Sequence, residues 1–103
     1  MNFQVKITEY AKKDLEIAYK FYETQKEGLG NYFIEIILSE IKMLEFYGCL
    51  HQKVFGFHRM ISKKFPFGIY YDCDKKEKII YIVGILDLRK NPNSLQKDLQ
   101  KRK

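Results

Sequence analysis

Apolar and polar side chains alternate over residues 3–8, Phe-Gln-Val-Lys-Ile-Thr, which predicts a strand with Phe3, Val5 and Ile7 on its buried side. The period then changes. Ala11, Leu15, Ala18 and Tyr22 recur at spacings of four, three and four, one helical stripe that Ile17 and Phe21 widen. Thr8 stands where its hydroxyl accepts a free N–H of the first turn, and Glu9 suits the positive end of the helix dipole. The helix is therefore expected over residues 9–26. Gly28-Leu29-Gly30 supplies residues that tolerate positive φ and turn the chain back. Phe33, Ile36, Ile37, Ile41 and Leu44 mark a second helix over residues 30–47, ending at Gly48. So short a connector makes the two helices antiparallel neighbours.

The second half reads differently. Residues 57–62, 67–73 and 79–86 are short runs rich in β-branched and aromatic residues, joined by connectors suited to antiparallel pairing, with Asp74-Lys75-Lys76-Glu77 as a polar hairpin turn. The run Ile79-Ile80-Tyr81-Ile82-Val83-Gly84-Ile85-Leu86 is apolar on both faces, which predicts a central strand covered on both sides. Beyond Pro92 only Leu95 and Leu99, four apart, form a stripe, so residues 93–103 are read as a short C-terminal helical turn or basic tail, frayed from Gln100 onward. The order β-α-α-β-β-β gives an α+β fold, with a helical hairpin on one face of a small, mostly antiparallel sheet. The other face must be polar or occupied.

A chain of 103 residues makes one domain, 1–103, and buries about 60–65% of its unfolded surface, so its 16% of aromatic residues are needed for the core. Large multi-layer enzymes are excluded. No stretch approaches the roughly 18 apolar residues of a membrane span, and no secretion signal opens the sequence, so a cytoplasmic protein without membrane contact is expected. Cys49 and Cys73 are 24 positions apart, match no metal spacing, and are read as free thiols. Cys49, His51 and His58 would supply only three zinc ligands, where a structural site wants four.

Charge is divided unevenly. Residues 1–47 carry six lysines against eight carboxylates, a net of −2, while residues 48–103 carry thirteen cations against five carboxylates, a net of +8. Such a field attracts nucleic acid or an acidic protein. There is no phosphate loop, nucleophile elbow or paired-histidine metal motif, and no cofactor is called for. What remains on the strand-rich half is a set of cations and phenols: Arg59, Lys63, Lys64, Tyr70, Tyr71, Arg89 and Lys90, with His51 and His58 near them in sequence. Strand alternation points Arg59, Ile61 and Lys63 one way and His58, Met60 and Ser62 the other. Those cations suit phosphate or carboxylate oxygens; as solvated edge charges they would equally discourage strand pairing. Tyr70 and Tyr71 face opposite sides, one in the core and the other free to stack on a base or position a proton. Phe65 and Phe67 read as packing.

Gly28-Leu29-Gly30 with Phe33, the segment Arg59-Met60-Ile61-Ser62-Lys63-Lys64-Phe65-Pro66-Phe67-Gly68-Ile69-Tyr70-Tyr71, and the run from Ile79 to Leu86 leading into Leu88-Arg89-Lys90-Asn91-Pro92 together resemble the RelE/ParE superfamily of bacterial type II toxins. The resemblance spans nearly the whole chain. It implies a growth-inhibiting toxin that a cognate antitoxin wraps and blocks in a toxin–antitoxin hetero-oligomer. It also implies one of two targets: the ribosome, where RelE-like members cleave mRNA, or DNA gyrase, which ParE-like members inhibit. A metal-independent ribonuclease needs a group to take the 2′-hydroxyl proton, a cation for the phosphorane charge and a donor for the leaving oxygen. The candidates for a RelE-like reading are Arg59, Lys63 or Lys64, Tyr71 and Arg89; for target binding alone they are Arg59, Lys63, Lys64, Arg89 and Lys90. The chain departs from both branches. Lys63 stands near the place of a RelE-type arginine and lacks its two-pronged grip, and Asp87 stands where many ParE-like relatives carry histidine. The Phe-Pro-Phe and Gly-Leu-Gly segments resemble the ParE-like branch more, and that branch needs a binding surface rather than a catalytic group. A third reading is an inactive relative that only binds antitoxin.

Overall fold

The computed structural model describes residues 2–103. Its elements are β1 (Gln4–Ile7), α1 (Glu9–Gln25), α2 (Leu29–Tyr47), β2 (Lys53–Val54), β3 (Phe57–Ile61), β4 (Phe67–Asp74), β5 (Ile79–Asp87) and α3 (Pro92–Gln100). The strands form one sheet in the order β1-β5-β4-β3-β2. Among the described residues only the β1–β5 pair is parallel, Val5 facing Ile80 and Ile7 facing Ile82; the other pairs are antiparallel. The strand expected at the centre, β5, is interior, between β1 and β4, but β4 holds the middle position of the sheet. The two-residue strand β2 has no expectation behind it, because nothing in so short a segment shows a period.

The Thr8 hydroxyl accepts from the Ala11 N–H at 3.4 Å and donates to the Ile82 carbonyl at 2.7 Å, so one side chain starts α1 and fixes it over β5. In the hairpin turn Gly28 has φ +87°, and the Glu23 carboxylate accepts from the N–H groups of Gly28 and Gly30 at 3.0 and 2.9 Å, occupying donors that open α2. A Cβ at Gly30 would lie 2.7 Å from the Tyr19 carbonyl oxygen, so glycine here permits the close crossing of the two helices.

The hairpin buries Ala11, Ala18, Tyr22, Phe33, Ile37, Ile41 and Leu44 against Met60, Phe67, Ile69, Tyr71, Ile80, Ile82 and Ile85. At about 1.5–3 kcal/mol for each large side chain withdrawn from water, this layer is the main source of stability. Ile17 and Phe21 do not join it; they are 68% and 49% exposed. They lie on the flank of α1 beside the half of β5 that the four-residue β1 is too short to cover.

The opposite face of the sheet is occupied. Leu95 and Leu99 of α3 pack against Phe57, Tyr70, Val83 and Leu86 in a second core. Asn91 caps this helix by accepting from the Asn93 N–H at 2.7 Å, and Pro92 fills its first turn. The expectation of a frayed tail is corrected at Arg102: its guanidinium donates to both carboxylate oxygens of Asp14 and to the Val83 carbonyl, and lies over the Tyr10 ring at 5.4 Å. The expectation of free thiols is corrected as well, since Cys49 and Cys73 are joined by a disulfide, their Cα atoms 5.8 Å apart. Sequence spacing hides this pairing because the end of α2 meets the C-terminal end of β4 only after the hairpin has folded onto the sheet.

Candidate target-binding end and partner groove

Strand register decides where the candidate cations meet. Ile61 pairs with Gly68, Gly68 with Leu86 and Phe67 with Asp87, so the C-terminal end of β3, the start of β4 and the end of β5 coincide. Arg59, Lys63, Lys64, Arg89 and Lys90 are therefore gathered around one end of the sheet. They share no face. Arg59 stands directly opposite Tyr70 on the α3 side, where its Cδ, the Leu88 Cδ2 and the Tyr70 ring close over Gly68. Lys63 lies in the β3–β4 loop, its N–H donating to the Glu40 carboxylate at 2.9 Å. The Lys64 ammonium donates to the Tyr32 hydroxyl at 3.3 Å, tying the loop to the start of α2.

Arg89 emerges on the helical side. It forms a two-pronged pair with Asp87, Nε to Oδ1 at 3.0 Å and Nη2 to Oδ2 at 2.8 Å. The hydrogen bond from Arg89 holds the Asp87 carboxyl below its ordinary range, and Asp87 in turn raises the Arg89 pKa. Close by, burial pushes the Tyr22 phenol up, opposed by the positive charge of Arg89. Behind these groups Tyr22, Phe33, Phe65 and Phe67 form an aromatic cluster with ring centroids 4.9 to 6.2 Å apart. Phe65 and Phe67 are thus packing residues that stiffen the cation-bearing loop.

Tyr71 is not among this group. It is fully buried on the hairpin face; its hydroxyl donates to the Gly48 carbonyl at 3.0 Å, accepts from the His51 N–H at 3.3 Å and meets His51 Nδ1 at 2.8 Å. Burial raises the Tyr71 pKa, and burial together with nearby His58 lowers that of His51. The His58 ring stacks on Tyr71 at 5.1 Å while its Nδ1 bonds the His51 carbonyl. Tyr70 is also fully buried, so neither tyrosine offers an exposed face to a base. Among the described residues no group of three or more His, Cys, Asp or Glu side chains is placed to hold a metal ion.

Sequence reasoning missed a groove. Ile17, Phe21, Phe67, Ile85, Leu86 and Lys90 are among the residues lining an apolar cleft of about 210 Å³ between α1 and the uncovered half of β5. The signal was present in Ile17 and Phe21, two large apolar residues lying to one side of the main stripe.

This geometry recurs in a solved structure described as "Chromosomal ParDE TA system from P. aeruginosa", with a TM-score of 0.69 at 22% identity, covering 84% of this chain and 96% of that one. The chain has that fold. It is the RelE/ParE-like arrangement implied by the sequence resemblance, helical hairpin and mixed sheet included. No protein-family model matches the chain, and no curated protein matches it. Among the described residues no helix is long and apolar enough to cross a membrane.

Proposed function

We propose that this chain is the toxin of a type II toxin–antitoxin pair and that it acts in the ParE-like manner, by binding a macromolecular target such as DNA gyrase. The observation that carries the reading is the match to the ParDE structure over nearly all of that chain's length. The site supports binding over catalysis. The cations ring one end of the sheet from different faces, Arg89 is held by Asp87, and the one phenol proposed for proton transfer, Tyr71, has its hydroxyl engaged inside the core. A ribonuclease needs base, cation and acid converging within hydrogen-bond reach of one phosphate. A binding surface needs only complementary charge and a firm backing, which Lys63, Lys64 and Arg89 have in the aromatic cluster and Arg59 has in Tyr70 and Leu88.

The antitoxin's place in this reading is the groove beside α1. Its walls offer exposed Ile17 and Phe21 to an amphipathic segment, and Lys90 on its lining suits an acidic one, the Asp14 and Asp87 carboxylates there being paired with Arg102 and Arg89. Expression of the chain alone should arrest growth, and co-expression of a small protein encoded beside it should restore growth. Purified chain should then block supercoiling by gyrase. Ribosome-dependent cleavage of reporter RNA would move the assignment to the RelE-like reading, and unimpaired growth would move it to an inactive antitoxin binder.

A further inference from the structure

The disulfide between Cys49 and Cys73 encloses the connection from just past the end of α2 to the C-terminal end of β4, including β2 and β3. Both residues are half-buried, within reach of a small thiol, whereas a sulfur sealed in a core is inert. The disulfide is also not the sole fastening at this junction. The Tyr71 hydroxyl holds the Gly48 carbonyl and the His51 N–H, and the Phe3 N–H donates to the Glu45 carbonyl at 2.8 Å, fixing the last turn of α2 to the start of β1. The main core stands on Leu44, Ile69, Tyr71 and their neighbours, with Cys73 only at its rim and Cys49 outside it. Beyond Cys49 the segment is held by scattered contacts: His51 bonds Tyr71 and His58, the Arg59 N–H donates to the Gln52 carbonyl at 3.0 Å, Val54 and Phe55 lie at the rim of the second core, and β2 makes two pairs, while Leu50 is 70% exposed. The disulfide therefore adds a covalent hold to a segment whose other holds are single hydrogen bonds, two rim side chains and a two-residue edge strand.

We propose that Cys49–Cys73 is a thiol-responsive clasp, which holds residues 49–56 against the sheet when oxidised and lets them open when reduced, while both cores stay folded. The reductant is a low-molecular-weight thiol. Its thiolate attacks one cysteine sulfur, the S–S bond breaks, and the other sulfur leaves as a thiolate that takes up a proton. A second thiol attacks the mixed disulfide, so that two thiols give one external disulfide and leave Cys49 and Cys73 each as S–H. Oxidised external disulfide reverses the sequence. Removing a closure of this length multiplies local opening by roughly a hundredfold.

The test uses the full chain treated with oxidised glutathione or with dithiothreitol, thiols counted by alkylation and mass spectrometry, and amide hydrogen exchange followed by segment. Reduction should speed exchange in residues 49–56 by roughly a hundredfold while the paired amides of β4 and β5 keep their protection, and oxidised glutathione should restore the slow rate. Cys49→Ser and Cys73→Ser should exchange like the reduced chain under both conditions. Two alkylatable thiols persisting after oxidised glutathione would overturn the clasp. So would equal exchange in the two states, and so would loss of protection throughout the sheet on reduction, which would mark a purely structural crosslink.

Discussion

Arg102 grips Asp14 with two guanidinium nitrogens across 88 positions of sequence, and both side chains are largely buried, 13% and 8% exposed. The Asp14 carboxylate also accepts the Ile85 N–H at 2.9 Å, so the pair fastens α1, β5 and the end of α3 at one point. Arg102→Ala leaves that carboxylate buried without its partner and should cost about 3 kcal/mol in chemical denaturation. An apolar double replacement, Asp14→Leu with Arg102→Met, should recover only part of the loss, because it removes the buried charge but leaves the Ile85 N–H and the Val83 carbonyl without partners. A single substitution with no effect would show that the pair does not secure α3.

Gly30→Ala tests the helix crossing. Its methyl group would press on the Tyr19 backbone oxygen, which has little freedom to retreat, so the hairpin must open. The expected cost is about 1–3 kcal/mol, read from thermal or urea unfolding. Gly28→Ala should also destabilise, through its positive φ rather than through a clash, since nothing lies within 4 Å of the added group.

His51 makes stability depend on pH near neutrality. Burial and His58 hold its folded-state pKa below the ordinary 6.5, so the unfolded chain binds the proton more readily. The contribution is complete above pH 6.5 and is lost as pH falls from there through the folded value. An NMR titration should place the His51 midpoint below 6.5, and His51→Gln should flatten the stability profile in that window. A midpoint above 6.5 would reverse the sign.

Arg89→Ala should relieve toxicity with the fold intact, because the residue is exposed and meets the body of the protein only at its edge, through Asp87 and Tyr22. The same variant should let the Asp87 pKa rise toward its ordinary 3.8. In the parent chain the depressed pKa gives stability present above the unfolded value and lost as pH falls through the folded one, so the variant's acid limb should shift accordingly. Undiminished growth arrest by a folded Arg89→Ala chain would remove this residue from the target-binding end.

Phe21→Asp places a charge in the groove beside α1 and should weaken antitoxin binding by about tenfold or more without unfolding the chain, since Phe21 is half exposed. Binding of the antitoxin should also weaken as salt rises, because the strand-rich half carries a net +8. Salt-independent binding would leave the apolar walls as the whole attraction.

The fold was legible where a period repeats long enough to be counted. The stripe Ala11–Leu15–Ala18–Tyr22, the double-sided run from Ile79 to Leu86 and the glycine turn all specify their elements locally. What escaped depends on distant parts meeting. Leu95 and Leu99 alone look too few to anchor a helix, yet Gly84 leaves room for them: a Cβ there would come within 3.2 Å of Leu99 Cδ2 and 3.1 Å of the Arg102 guanidinium. Arg102 reads as one more charge in a basic tail until Asp14 is seen beside it. Alternation put Arg59 and Lys63 on one face of a strand, and it could not show that register would distribute the candidate cations around an end of the sheet.

Beside Tyr70 and Tyr71 the pairing of β4 with β5 slips, skipping Val83, whose carbonyl is taken by Arg102 while the Ile85 N–H goes to Asp14. Past the end of β1, the border of β5 is thus sealed by two side chains in place of a neighbouring ladder. Such a seal parts without melting the rest of the molecule, so chains in which it is broken should adhere to one another along β5 at temperatures well below their own unfolding.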